Sequence, residues 1–105
     1  MKRTDKVITR LRVGKTNLPG ELGQYVKTMD RNCPICQPET SLDSDHILFN
    51  CPALADDRNK LRTYVTELGV PFSRENMFNP PKSLQVTVFR HIINFLKDTG
   101  FYNKI

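Results

Sequence analysis

Residues 33–51 decide the predicted fold, and they read CPICQPETSLDSDHILFNC. Cys33 and Cys36 form a C-x2-C pair, His46 follows after nine intervening residues, and Cys51 follows after four more. The pattern uses all three cysteines and one of the two histidines. Four sulfur and nitrogen donors suit one tetrahedral zinc ion and leave no open position for water. We therefore predict one structural Zn²⁺ bound by Cys33, Cys36, His46 and Cys51.

Other interpretations of these residues fit less well. Buried cysteines and a core histidine would leave the regular spacing unexplained, and an odd number of cysteines argues against a closed disulfide set. A redox C-x-x-C motif is expected within a βαβ pattern, which is absent from this sequence. A zinc deaminase needs H-x-E followed by P-C-x-x-C, whereas here the C-x-x-C pair comes first and no glutamate follows His46 at that spacing.

Length and composition limit the class of protein. The chain has 105 residues and a mass of 12.1 kDa, enough for one domain over residues 1–105 with a zinc-knuckle core at about 31–52. The sequence contains no run of 18 apolar residues, so it predicts no membrane-spanning helix. The first residues lack the apolar stretch of a signal peptide. We therefore expect no membrane partner and a reducing nuclear or cytoplasmic location. No catalytic motif is visible, so we expect the chain not to be an enzyme.

Apolar residues recur at helical spacing and predict a mainly α fold. Leu84, Val88, Ile92 and Leu96 form the clearest amphipathic stripe and predict a long C-terminal helix over about 82–99. Other helices are predicted before Gly14, near Pro19, over about 53–68 and after Ser73, with glycines 14, 69 and 100 as C-terminal caps. The expected fold is a small zinc-stapled helical domain with a CCHC zinc-knuckle-like loop.

Charge is distributed unevenly along the chain. Residues 1–31 and 58–105 each carry a net charge of +5, whereas residues 32–57 contain no Lys or Arg and carry −5, giving +5 in all. Two basic flanks indicate a polyanionic partner, although a solvated basic surface would have the same composition.

The chain resembles the zinc-binding module near the C-terminus of reverse transcriptases from non-LTR, LINE-like retrotransposons. The matching segments are residues 11–18 (LRVGKTNL), 33–36 (CPIC) and 46–52 (HILFNCP), followed by Arg58 and Leu61. Departures from the family pattern are Lys15, where the family often has His, and Gln37, where it often has Gly. The resemblance implies the same four-ligand structural zinc and an accessory nucleic-acid-binding role during target-primed reverse transcription.

Two functions remain open from the sequence. In the first, the module binds the phosphate backbone of RNA or DNA, through the basic residues Lys2, Lys6, Arg10, Arg12, Lys15, Arg58 and Arg62. In the second, it is an interaction domain that docks onto other domains of the same polyprotein or onto a host factor. The acidic centre of the chain and its apolar final helix favour the second function.

Overall fold

The computed structural model describes residues 3–22, Cys33 and residues 41–105. These ranges contain α1 (Arg3–Val13), α2 (Pro19–Leu22), α3 (Ala55–Glu67), α4 (Arg74–Phe78) and α5 (Gln85–Thr99). A π-helical turn spans His46–Asn50, and 3₁₀ turns span Pro52–Leu54, Lys82–Leu84 and Tyr102–Lys104. No β-strand lies within the described ranges, so the predicted mainly α fold is confirmed.

The pair formed by α3 and α5 organises the larger part of the molecule. Along α5, Val88, Ile92 and Leu96 are fully buried, as their spacing predicted. Facing them on α3 are Leu61 and Val65, which are also buried. Each such side chain contributes about 1.5–3 kcal/mol when it leaves water. The long C-terminal amphipathic helix is thereby confirmed, and its stripe forms core rather than an exposed face.

Helix α1 closes the core from another side, and it contacts α4. Its inward face consists of Val7, Ile8 and Leu11, which are all buried. The core is continuous from these residues through α3 and α5 to Phe101 and Ile105 near the end of the chain.

Three glycines end three helices in the same way. Gly14, Gly69 and Gly100 have φ values of +71°, +83° and +83°, in the left-handed region that favours glycine. After each of them, the next N–H donates to a carbonyl five residues back, as Lys15 does to Arg10 at 3.0 Å. This is the hydrogen bond of a Schellman cap, so all three predicted caps are confirmed.

The remaining local signals also have structural counterparts. Ser73 Oγ accepts a hydrogen bond from the Asn76 N–H at 3.2 Å, which makes Ser73 the cap of α4. Pro52 opens the 3₁₀ turn that leads into α3. Within the described ranges, no helix is long and apolar enough to span a membrane. For the helix near Pro19 the sequence also predicts that Tyr25 and Val26 face inward, and these two residues lie outside the described ranges.

Candidate metal centre

Three predicted ligands come together in one buried cluster. The donor atoms of Cys33, His46 and Cys51 all lie within 4.8 Å of one another, and each of the three residues is at most 5% exposed. The Sγ atoms of Cys33 and Cys51 are 3.9 Å apart, nearly twice the length of a disulfide bond. The fourth predicted ligand, Cys36, lies outside the described residues. This Cys-Cys-His group is therefore able to hold a metal ion.

The π-helical turn explains why His46 and Cys51 reach the same point. Five residues cover about 1.4 turns of an α-helix, so in that geometry the two side chains would diverge. Instead, the Cys51 N–H donates to the His46 carbonyl at 2.7 Å, the i→i+5 bond of a π-helix. The two ligands thus stand one wide turn apart. The ligand spacing did not specify this π geometry, which is a finding of the structure.

Asp43 caps the start of the ligand-bearing segment. The sequence allows either Asp43 or Ser44 as the cap of this segment, and the structure uses Asp43, whose Oδ1 accepts a hydrogen bond from the His46 N–H at 2.8 Å. A close contact fixes the preceding residue, because the Gly20 N–H donates to the Leu42 carbonyl at 2.8 Å. A Cβ atom at Gly20 would lie only 2.8 Å from that carbonyl group. Gly20 is therefore required for the contact between α2 and the chain that leads to His46.

A buried carboxylate holds this segment against α2. Glu21 is 8% exposed. It accepts a hydrogen bond from Ser44 Oγ at 2.9 Å and another from Thr16 Oγ1, which in turn accepts the Leu18 N–H. Thr16 and Leu18 belong to the segment that carries the family resemblance. Through Glu21, residues 16–18 of the resembling segment therefore help to position Ser44, which follows the cap residue Asp43.

Arg74 connects the same segment to α1. Its guanidinium donates to Ser44 Oγ at 3.2 Å and forms an ion pair with Asp45 at 2.9 Å. The other terminal nitrogen donates to the carbonyls of Leu11 and Arg12 at the end of α1. One arginine therefore joins the last turn of α1 to the start of the ligand-bearing segment.

Arg58 corrects one of the predicted nucleic-acid contacts. It is 6% exposed, and its guanidinium donates to the carbonyls of Leu48, Ile47 and Cys51. Burial lowers its pKa, the Cys51 thiol opposes this change, and the charge of Arg62 reinforces it. A helical turn leaves its last carbonyls without internal partners, and Arg58 supplies those partners. The prediction that Arg58 contacts phosphate was therefore wrong, since this side chain supports the metal centre from within.

Burial and nearby charges set the protonation of His46. Desolvation lowers its pKa below the ordinary value, with Asp43 acting to raise it and Arg58 to lower it. The Nδ1 atom is itself buried. A neutral imidazole is the form that binds metals, so the surroundings of His46 favour the ligating state.

The other predicted phosphate contacts occupy several parts of the surface. Lys6 and Lys15 are exposed, on α1 and just beyond it. Arg10 is exposed and donates to the Ile105 carbonyl at 2.9 Å, and Arg12 donates to the Phe78 carbonyl at 3.0 Å. On α3, exposed Arg62 lies 5.2 Å above the Phe72 ring. Lys2 lies outside the described residues.

The sequence did not predict the contacts of Glu21 and Arg74 around the candidate site, and it placed Arg58 on the surface although this residue is buried. A signal existed for Arg58, because it lies four residues after Leu54 and three before Leu61, within the apolar stripe of α3. A cation at a core-facing position indicates buried carbonyl partners. No local pattern predicts the contacts of Glu21 or Arg74, since their partners are up to 63 residues away in the chain.

Comparison of the chain with protein-family models, with curated proteins and with solved structures found no match.

Proposed function

We propose that the chain is a zinc-stabilised accessory module that binds nucleic acid, with Cys36 as the fourth ligand beside Cys33, His46 and Cys51. The distance between the two sulfurs supports zinc. Two thiolates that each lie about 2.3 Å from a tetrahedral ion are about 3.8 Å apart, and Cys33 and Cys51 are separated by 3.9 Å. With four protein ligands the ion has no open coordination position and a structural role, and we propose no catalytic activity for the chain.

The metal site is tested by replacing each of the two histidines with alanine. In a protein purified with zinc, we expect His46→Ala to lose most of the bound metal and His91→Ala, on α5, to keep one equivalent. Cobalt substitution adds a spectroscopic test, because the thiolate charge-transfer absorption should weaken in both Cys36→Ala and Cys33→Ala. A folded wild-type protein without zinc would overturn the proposal.

The nucleic-acid role is supported by charge and by the resemblance to the non-LTR retrotransposon module. With Arg58 removed, the proposed contacts are Lys2, Lys6, Arg10, Arg12, Lys15 and Arg62. The polymer is RNA or DNA, bound through its phosphates during reverse transcription. An intracellular, reducing location agrees with the role of the thiolates as metal ligands.

Salt dependence tests this role directly. Six phosphate contacts, one for each of these cations, predict a slope of roughly −5 in a plot of log affinity against log salt concentration on duplex DNA. The triple variant with Lys6, Arg10 and Lys15 changed to Gln should flatten this slope by about three units. As a matched control, we choose the triple variant of the exposed cations Lys82, Arg90 and Lys104. Equal losses in the two variants would contradict the assigned surface, and a wild-type slope near zero would contradict nucleic-acid binding.

A protein-docking role is the alternative. The Lys/Arg-free stretch 32–57 and its five acids favour a basic protein partner, such as another domain of the same polyprotein or a host factor. If the wild-type chain does not bind oligonucleotides, docking becomes the leading proposal.

A further inference from the structure

A groove of about 380 Å³ lies between α3 and α5. Among the residues that the structure describes, no metal ligand and no residue that hydrogen-bonds around the ligands lines this groove. Its polar lining consists of Asp57, Lys60, Tyr64, His91, Asn94 and Asp98.

The aromatic wall of the groove is an ordered stack. The rings of Tyr64 and His91 lie 4.6 Å apart and are inclined by only 10°. Tyr64 is 48% exposed even though it is a large aromatic residue. A flat aromatic surface with a negative face attracts cations and planar groups.

The charges of the groove are predominantly negative. Asp57 and Asp98 line it from opposite helices, and Lys60 is the one cation among the described residues of the lining. Across the described ranges, neither carboxylate lies within ion-pair distance of a basic group. A phosphate would be repelled by both carboxylates, whereas a positive group would meet two acids and an aromatic stack.

We propose that this groove accepts an arginine side chain from a basic segment of a protein partner. A guanidinium is planar, so it can lie against the Tyr64–His91 stack while an N–H group donates to the Asn94 amide oxygen, one helical turn after His91. Asp57 and Asp98 each lie seven residues from the stacked ring on the same helix, about 10 Å along the axis, and attract the positive charge of the segment without a direct hydrogen bond to the same guanidinium. A lysine ammonium offers the same charge without the planar surface. This function goes beyond nucleic-acid binding and uses a different face from Lys6, Arg10 and Lys15.

The test uses the full zinc-loaded chain and a blocked peptide, Gly-Arg-Gly-Arg-Gly, with its lysine counterpart, followed by NMR titration of backbone amides. We expect saturable shifts around Tyr64, His91 and Asn94, with weaker binding of the lysine peptide. Asp57→Asn and Asp98→Asn should each lower affinity about threefold, in the range of exposed ion pairs. The matched control is Asp56→Asn, which removes an equal charge from the same first turn of α3 but not from the groove lining, and should leave affinity unchanged.

Lys60 gives a change of opposite sign. Because it is the cation in the groove, Lys60→Gln should strengthen binding of the arginine peptide by about twofold. The proposal is overturned if the peptide causes no saturable shifts, or if Asp56→Asn weakens binding as much as Asp98→Asn. It is also overturned if a single-stranded oligonucleotide shifts the groove amides and Lys60→Gln weakens that binding, because the groove would then belong to a nucleic acid.

Discussion

Two regions of this small domain are stabilised in different ways. In the metal region, defined as Cys33 and residues 41–54, the buried groups include Ser44, His46 and Cys51. The helix pair of α3 and α5 instead meets through aliphatic and aromatic side chains such as Val65 and Ile92. Buried polar groups stabilise a fold only when their partners are in place. Hence the metal region depends on particular contacts, and the helix pair depends on buried area.

Polar side chains from outside the metal region supply most of those contacts. Glu21 comes from α2, Arg58 from α3 and Arg74 from α4, and each reaches backbone or side-chain atoms next to the ligand turn. The proposed ion and these three side chains would therefore act on the same short segment. Their removal should affect the metal region first, whereas loss of a core side chain should affect both regions together.

Removal of the metal should give the largest separation between the regions. Structural zinc contributes about 10–16 kcal/mol in small finger peptides, comparable to the whole stability of a typical domain. With a chelator, or in Cys51→Ala, we expect the metal region to lose amide protection first, while α3 and α5 keep part of theirs. Hydrogen exchange measures this, and restoration by added zinc is the control. Full protection of His46–Cys51 without metal would show that the ion is not the anchor.

A core truncation in the helix pair should give a different result. Ile92 is fully buried, so Ile92→Ala leaves a cavity and should lower the free energy of unfolding by about 2–5 kcal/mol. The stoichiometry of bound zinc in the folded protein should stay the same. Urea unfolding and metal analysis measure the two quantities. Val86→Ala is the control, since Val86 is 71% exposed on the same helix and should change stability by less than about 0.5 kcal/mol.

Arg58 tests the connection between the regions. Arg58→Met keeps much of the side-chain volume but removes donors to three carbonyls, so we expect a loss of about 2–3 kcal/mol together with weaker zinc binding. Denaturation and competition with a zinc chelator measure these effects. Arg62→Met, an exposed change one turn later in α3, should cost below about 1 kcal/mol. Similar losses in both variants would indicate that Arg58 acts only through net charge.

The two regions also differ in what the sequence could predict. Helical periodicity predicted the stripe Val88–Ile92–Leu96, and glycines at the ends of helical patterns predicted the three caps. Both features depend on local geometry. Ligand spacing predicted that Cys33, His46 and Cys51 would meet. The partners of Glu21 and Arg74 depend on how α1, α2 and α4 are arranged, which no local pattern encodes. Arg58 is the intermediate case, since its position on the α3 stripe was visible and its charge suggested a surface role.

The smallest effect concerns a local cap away from both regions. Ser73 Oγ accepts hydrogen bonds from the Asn76 backbone and side chain at the start of α4. Ser73→Ala removes this acceptor and should cost about 1 kcal/mol, measured by urea unfolding. Ser83→Ala, at an exposed serine in the 3₁₀ turn before α5, should have almost no effect. Because α4 also carries Arg74, a frayed α4 would loosen the contact with Ser44. Weaker zinc binding in Ser73→Ala, with no change in Ser83→Ala, would therefore show that the metal region depends on α4 as well as on its own ligands.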